Sequence, residues 1–310
     1  MLALVIKSFF LLLTIFASYI QGLCNYNDCK SCTKDNGLLG LILPCCWNPQ
    51  ASSCQASLLT GLCANGSTEV TYNCPESPPS DFAYTDGFGR NYTLPFIASA
   101  YGDFNQAKTC LKNQVPNATL VAVYNDLNNC SSVLALLPSQ NAIVVAFRGT
   151  QGGLQFVITA LNLILAGPVV FGHSLGAALA SLTSTYAVYQ NIFISSEVKT
   201  ITTGQPRTGD LDYAKIHDTR VPHSYRLINV ADLVTKLPLK ANLDDTYAFH
   251  HHFEIWYYEN MLPGANFTIC DQAEDSSCSS STSLAQSLSA DYHNTYFNVS
   301  IDTWFGTGCV

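Results

Sequence analysis

The chain has 310 residues, enough for one full α/β core with a small module beside it. Charged residues make up only 12% and the formal net charge is −8. That balance argues against nucleic acid as a partner and against electrostatic docking on anionic membranes.

In chain order, the first segment reads as a secretory signal over 1–22. Lys7 supplies the positive charge, Phe9 to Phe16 is apolar apart from Thr14, and Gly22 offers a small residue at the cut. The apolar core is shorter than the ~20 residues of a membrane span, so no transmembrane anchor is expected after cleavage. Six N-x-S/T sequons, at Asn65, Asn91, Asn117, Asn129, Asn266 and Asn298, suit a secreted, extracellular chain. The chain has 13 cysteines, read as disulfides rather than metal ligands. Eight of them fall between Cys24 and Cys74 and define a small disulfide-rich module over 23–74. Eight cysteines allow 105 pairings, and the sequence does not choose among them. Cys29-Lys30-Ser31-Cys32 and Cys45-Cys46-Trp47 resemble a plexin-type cysteine-rich repeat. A Pro/Ser-rich linker, 75–80, leads to the main domain, 81–310. Five cysteines remain there, so one is left over if all the others pair within the chain.

Beyond the linker, strand patterns fall at 119–124, 142–147, 168–171, 198–203, 224–230 and 253–258. Helix patterns fall at 95–101, 153–166, 175–189, 210–217 and 283–290. This alternation predicts an α/β fold with a mostly parallel sheet and helices on both faces. The 153–166 segment is apolar nearly all round, unlike an ordinary surface helix.

One stretch carries chemistry. Gly172-His173-Ser174-Leu175-Gly176 is a G-x-S-x-G pentapeptide between the apolar run Val169-Val170-Phe171 and an Ala/Leu-rich run from Ala177. Strand, sharp turn and helix in that order make a nucleophile elbow, which presents the serine Oγ above a helix N-terminus. The glycines at 172 and 176 are expected where a side chain would clash. A serine nucleophile needs a base, and the base needs an orienting carboxylate. Asp232 lies just past the strand that ends near Val230, and His293 follows in Tyr292-His293, giving the order Ser, Asp, His of α/β-hydrolases. Upstream, the strand 142–147 runs into Arg148-Gly149-Thr150.

Together, Phe147-Arg148-Gly149-Thr150, Gly172 to Gly176, Gly204-Gln205-Pro206-Arg207-Thr208-Gly209, Asp232-Leu233-Val234 and Tyr292-His293 resemble the class 3, fungal-type triacylglycerol lipases, over roughly 80–310. In overall look the chain is most similar to cysteine-rich secreted lipase-like proteins of nematodes. The resemblance implies an α/β-hydrolase that cleaves carboxylic esters through an acyl-enzyme. Ser174 would be the nucleophile, Asp232 the orienting acid and His293 the base, with the N–H groups of Thr150 and Leu175 as the oxyanion hole. It implies lipid or ester substrates, adsorption to lipid interfaces, and no cofactor or metal.

The chain departs from the family in its crossover. Only 21 residues, 151–171, separate the oxyanion strand from Gly172, enough for one helix and no lid. Ala177 stands where the family carries Gly. Two alternatives to an active lipase stay open on that ground: a catalytically impaired lipase-like protein that binds lipid or carbohydrate, or a shortened splice form. The remaining motifs have plainer readings. Gly204 to Asp210 reads as a loop on the site's rim. His250-His251-His252 reads as a loop entering a strand rather than a metal site, because adjacent residues on a strand point to opposite faces. His173 is assigned to packing the elbow, and His223 to a structural role at a strand start.

Overall fold

The computed structural model describes residues 24–34, 44–57, 63–64, 66–125, 131–149, 168–239 and 247–310. The signal segment 1–22, the helix expected at 153–166, Thr150 and Cys130 all lie outside these residues. The chain divides into two compact units, Met1–Glu76 and Ser77–Val310.

The first unit has helix α1 (Cys29–Lys34) and a hairpin of β1 (Cys45–Asn48) and β2 (Ser53–Ala56). Of the open pairings, the chain adopts Cys24–Cys45, Cys29–Cys74, Cys32–Cys54 and Cys46–Cys63. So short a stretch cannot bury much apolar area, and its core is built from the bridges themselves around the buried Trp47.

The second unit is organised by an eight-stranded sheet. Its strands in chain order are β3 (Thr119–Asn125), β4 (Ser131–Leu137), β5 (Ala142–Phe147), β6 (Pro168–His173), β7 (Lys199–Thr203), β8 (His223–Asn229), β9 (Glu254–Tyr257) and β10 (Thr268–Cys270). Their spatial order is β10-β9-β8-β7-β6-β5-β4-β3. The centre, β5 to β9, is parallel; β3 and β4 extend one edge and β10 the other, antiparallel.

Successive side chains on a strand face opposite ways, and β5 shows both faces covered. Val144 and Ala146 join one apolar cluster with Phe96 and Ile97 of α2 (Leu94–Ser99) and Ala107 and Leu111 of α3 (Phe104–Gln114). Ile143, Val145 and Phe147 join another with Leu179 and Ala180 of α4 (Leu175–Tyr189). Parallel strands buried on both faces read as unbroken apolar runs, which is why β5 and β6 were visible in sequence.

α3 opens on a reciprocal capping box between Asp103 and Gln106, and α5 (Leu211–Arg220) on Asp210, whose carboxylate accepts the Tyr213 N–H at 2.8 Å. α3, β4 and β10 were not foreseen. α3 buries only Ala107, Cys110 and Leu111, a stripe too narrow for periodicity to reveal. β10 has only three residues.

The helix expected at 283–290 does not form; one 3₁₀ turn, Gln286–Leu288, stands there. Ser283 and Gln286 make the same reciprocal side-chain-to-backbone bonds that open α3, at 2.8 and 3.3 Å, but only this one turn follows them. Two further disulfides, Cys110–Cys309 and Cys270–Cys278, hold the C-terminus to α3 and the end of β10 to the loop after it.

Candidate active site

The strand-turn-helix around Ser174 has the form read from the sequence. β6 ends at His173 and α4 starts at Leu175. Between them Ser174 takes φ 58°, ψ −127°, a conformation that L-residues rarely adopt. Its N–H donates to the Thr203 carbonyl at 3.0 Å, which ties the bend to β7. A Cβ on Gly172 would strike the backbone of Gly176 and Ala177, and one on Gly176 the backbone of Phe147 and Arg148.

Asp232 is fully buried three residues past β8. Its carboxylate accepts the His293 Nδ1–H, at 3.0 and 2.9 Å to its two oxygens, the Tyr296 hydroxyl at 2.7 Å and the Val234 N–H at 2.9 Å. Burial alone would raise the Asp232 pKa. The His293 hydrogen bond and charge and the Tyr296 hydroxyl outweigh it, so the carboxyl is held below its ordinary value. His293 sits in a short helical turn, Asp291–Asn294. The Asn229 side-chain amide donates to the carbonyls on either side of it, Tyr292 at 3.3 Å and Thr295 at 2.7 Å. With Nδ1–H given to Asp232, the Nε2 lone pair faces Ser174 Oγ at 2.8 Å and accepts its hydroxyl proton. Ser174, Asp232 and His293, 119 positions apart in sequence from first to last, are thus in one hydrogen-bonded line.

Thr150 lies outside the described residues, but the chain just before it reaches Ser174. β5 pairs in register with β6, Phe147 opposite Gly172, and a Cβ on Gly149 would lie 2.8 Å from Ser174 Cβ. Leu175 is the first residue of α4, where N–H groups lack intrahelical partners.

Three side-chain roles went unnoticed in the sequence. Tyr296 adds a donor to the buried acid, and nothing in its spacing announces that. Tyr101, far upstream, reaches His173 (below). The third concerns the Gly204–Asp210 loop, which does more than shape a rim. Gly204 has φ +60°, and a Cβ there would lie 2.8 Å from Asp232 Oδ2 and 2.9 Å from His293 Nδ1. Arg207 forms a buried bidentate pair with Glu274, at 2.8 and 2.7 Å, and also donates to the Lys236 and Pro238 carbonyls, clamping the chain after Asp232.

The histidine run is buried and divided among partners. His250 meets the Thr235 carbonyl at 2.8 Å, His251 meets Gln205 at 3.1 Å and lies tilted against the His217 ring with centroids 4.0 Å apart, and His252 meets Asp218 at 2.8 Å. His223 meets Asp81 at 2.9 Å. Among the described residues, every group of three potential metal ligands includes a cysteine already held in a disulfide.

The fold is that of an α/β-hydrolase, with Asp232, His293 and Ser174 in a hydrogen-bonded line beyond the ends of its central strands. Comparison with known proteins agrees. The family model for lipase (class 3) matches residues 162–242, the stretch that carries the elbow and Asp232, and the resemblance to the class 3 lipases read from the motifs stands. A Caenorhabditis elegans protein named Lipase ZK262.3 is 32% identical over 164 residues, 45% of this chain; the chain spans about half of that relative, 46%. Among solved structures, the lipase from Rhizopus microsporus var. chinensis matches with TM-score 0.56 and 23% identity, covering 73% of this chain and 94% of that one. Another, described as a triacylglycerol lipase whose catalytic centre is a serine protease triad, matches with TM-score 0.56 and 20% identity, covering 71% and 97%.

Proposed function

We propose that the chain is a secreted serine ester hydrolase acting on triacylglycerol or related carboxylic esters. The observation that carries this reading is the continuous line from Asp232 through His293 to Ser174, at 2.9 and 2.8 Å. Ser174 Oγ attacks the ester carbonyl while His293 Nε2 takes its proton. Asp232 holds the tautomer and faces the imidazolium that forms. The oxyanion is received by the N–H groups of Leu175 and Thr150. His293 then protonates the departing alcohol, and water, activated by the same imidazole, releases the acid.

Exposed Leu237 and Leu239 follow the acid, and exposed Leu284 and Leu288 precede the base. Apolar side chains on both loops support contact with an acyl chain or a lipid surface. Six disulfides among the described residues support an oxidising, extracellular setting. Among the described residues no helix is long and apolar enough to cross a membrane.

The test is hydrolysis of p-nitrophenyl esters of graded chain length, beside labelling by a fluorophosphonate. Ser174→Ala is expected to lose the label and nearly all turnover. Correctly folded protein that takes no label and cleaves no ester would transfer the reading to a non-catalytic lipid binder.

A further inference from the structure

His173 is not a member of the Ser174 line, yet it is fully buried against it. Its ring stacks on the His293 imidazole, with centroids 4.6 Å apart and planes 27° apart. Its Nε2 lies 2.9 Å from the His293 carbonyl oxygen, and its Nδ1 lies 2.7 Å from Tyr101 Oη. The same Tyr101 oxygen accepts the Gly149 N–H at 2.9 Å.

The donors and acceptors have one consistent order. A carbonyl oxygen only accepts, so His173 Nε2 carries the proton. Burial holds the His173 pKa down to about 3, so the ring is neutral and Nδ1 accepts. The proton on that bond therefore comes from the Tyr101 hydroxyl, which burial keeps un-ionised. Tyr101 in turn is oriented by stacking on Phe305, with centroids 6.3 Å apart and planes 16° apart. The direction runs Gly149 N–H to Tyr101, Tyr101 O–H to His173, and His173 N–H to the His293 carbonyl, with no group left unpaired.

We propose that Tyr101 and His173 are positioning residues whose directional hydrogen-bond chain locks the end of β5, beside the oxyanion hole, to the backbone of the general base. The end of β5 and the base come from distant segments, and the bond that closes the link, His173 to His293, spans 120 residues; the linked hydrogen bonds fix their separation. The stacked, uncharged ring also leaves the imidazolium that forms on His293 without a like charge against its face. This rests on the reading of Ser174 as the nucleophile, and the experiment separates the two.

In the first arm, nitrogen NMR of ¹⁵N-histidine-labelled full chain at pH 7, assigned by the His173→Gln spectrum, reads the tautomer. His173 is expected as Nε2–H; an Nδ1–H or doubly protonated ring overturns the chain. In the second arm, Tyr101→Phe is compared with Tyr84→Phe on p-nitrophenyl butyrate. Tyr84→Phe also removes a buried phenol bond, the 2.9 Å contact with Tyr257, but away from the site. Tyr101→Phe is expected to lower kcat about tenfold or more with KM within about twofold, while Tyr84→Phe keeps wild-type kcat. Equal kcat in the two variants overturns the positioning role. Should Tyr101→Phe fail to fold, His173→Gln, which retains a donor and an acceptor, is expected to recover kcat relative to His173→Ala; no recovery overturns the role. A wild-type chain that takes no fluorophosphonate at Ser174 defeats the proposed function instead, and the tautomer still decides the chain.

Discussion

Replacing Gly204 with alanine places a methyl group against both Asp232 and His293. Two costs separate cleanly. The first is conformational: at φ +60° a residue with a Cβ costs about 1–2 kcal/mol of stability. The second is local. The new Cβ would lie 2.8 Å from Asp232 Oδ2 and 2.9 Å from His293 Nδ1, against an ordinary contact of about 3.5 Å. Asp232 is tied by the Tyr296 hydroxyl and the Val234 N–H, so the imidazole is the group that yields, by about 0.6 Å or more. A misplacement near 1 Å costs on the order of a hundredfold in rate, so kcat is expected to fall between roughly tenfold and a hundredfold. Gly264→Ala is the control: its φ is +80° and nothing lies within 4 Å of the added Cβ. It carries the conformational cost without the collision. The assay is ester hydrolysis and fluorophosphonate labelling rate, with thermal unfolding of both variants. If Gly204→Ala keeps the wild-type rate, or if both variants lose activity alike, the argument for steric exclusion is wrong.

Further predictions concern stability and the buried acid. Burial lowers His173 to about 3 and His217 to about 4, and holds His250 and His251 well below their ordinary value. The unfolded chain takes up protons at these residues below about pH 6.5 and the folded chain does not. Stability is therefore fully present above pH 6.5 and falls as pH drops below it, by about 1 kcal/mol per pH unit for each histidine. Urea midpoints at pH 7.5, 6.5 and 5.5 read this, and a flat profile contradicts it. Tyr296→Phe removes the 2.7 Å donor to Asp232 and is expected to lower kcat about tenfold with KM nearly unchanged; a wild-type kcat would deny Tyr296 a part in holding the acid. Replacing Cys110 and Cys309 together by alanine opens a loop of 199 residues, expected to cost roughly 5 kcal/mol in the chain-entropy account; an unshifted unfolding midpoint would contradict it. Asn91, Asn117, Asn266 and Asn298 are exposed, so secreted chain is expected to shift in mass on enzymatic deglycosylation, and an unshifted band would refute occupancy.

The sequence by itself determined the elements whose signal is local. β5 and β6 are apolar runs because their neighbours bury both faces, and Gly172 is legible because its collision, with the backbone of Gly176 and Ala177, lies within a few residues, whereas that of Gly176, with Phe147 and Arg148, is tertiary. A line of Ser174, His293 and Asp232 could be expected because a serine nucleophile would need a base and the base a carboxylate, and the three side chains do meet. Tertiary structure decided what depends on distance through space. The cysteine pairing is one case, since 105 arrangements share one sequence. The role of Gly204 is another: glycine is required there because Asp232 and His293 arrive from other segments to meet it. The stretch 283–290 has a helical pattern and the Ser283/Gln286 start box, yet only one 3₁₀ turn follows, an outcome its local sequence does not decide. Tyr101 and Tyr296 carry no motif. Each matters because of one hydroxyl, and only the packed chain decides which buried group that hydroxyl reaches.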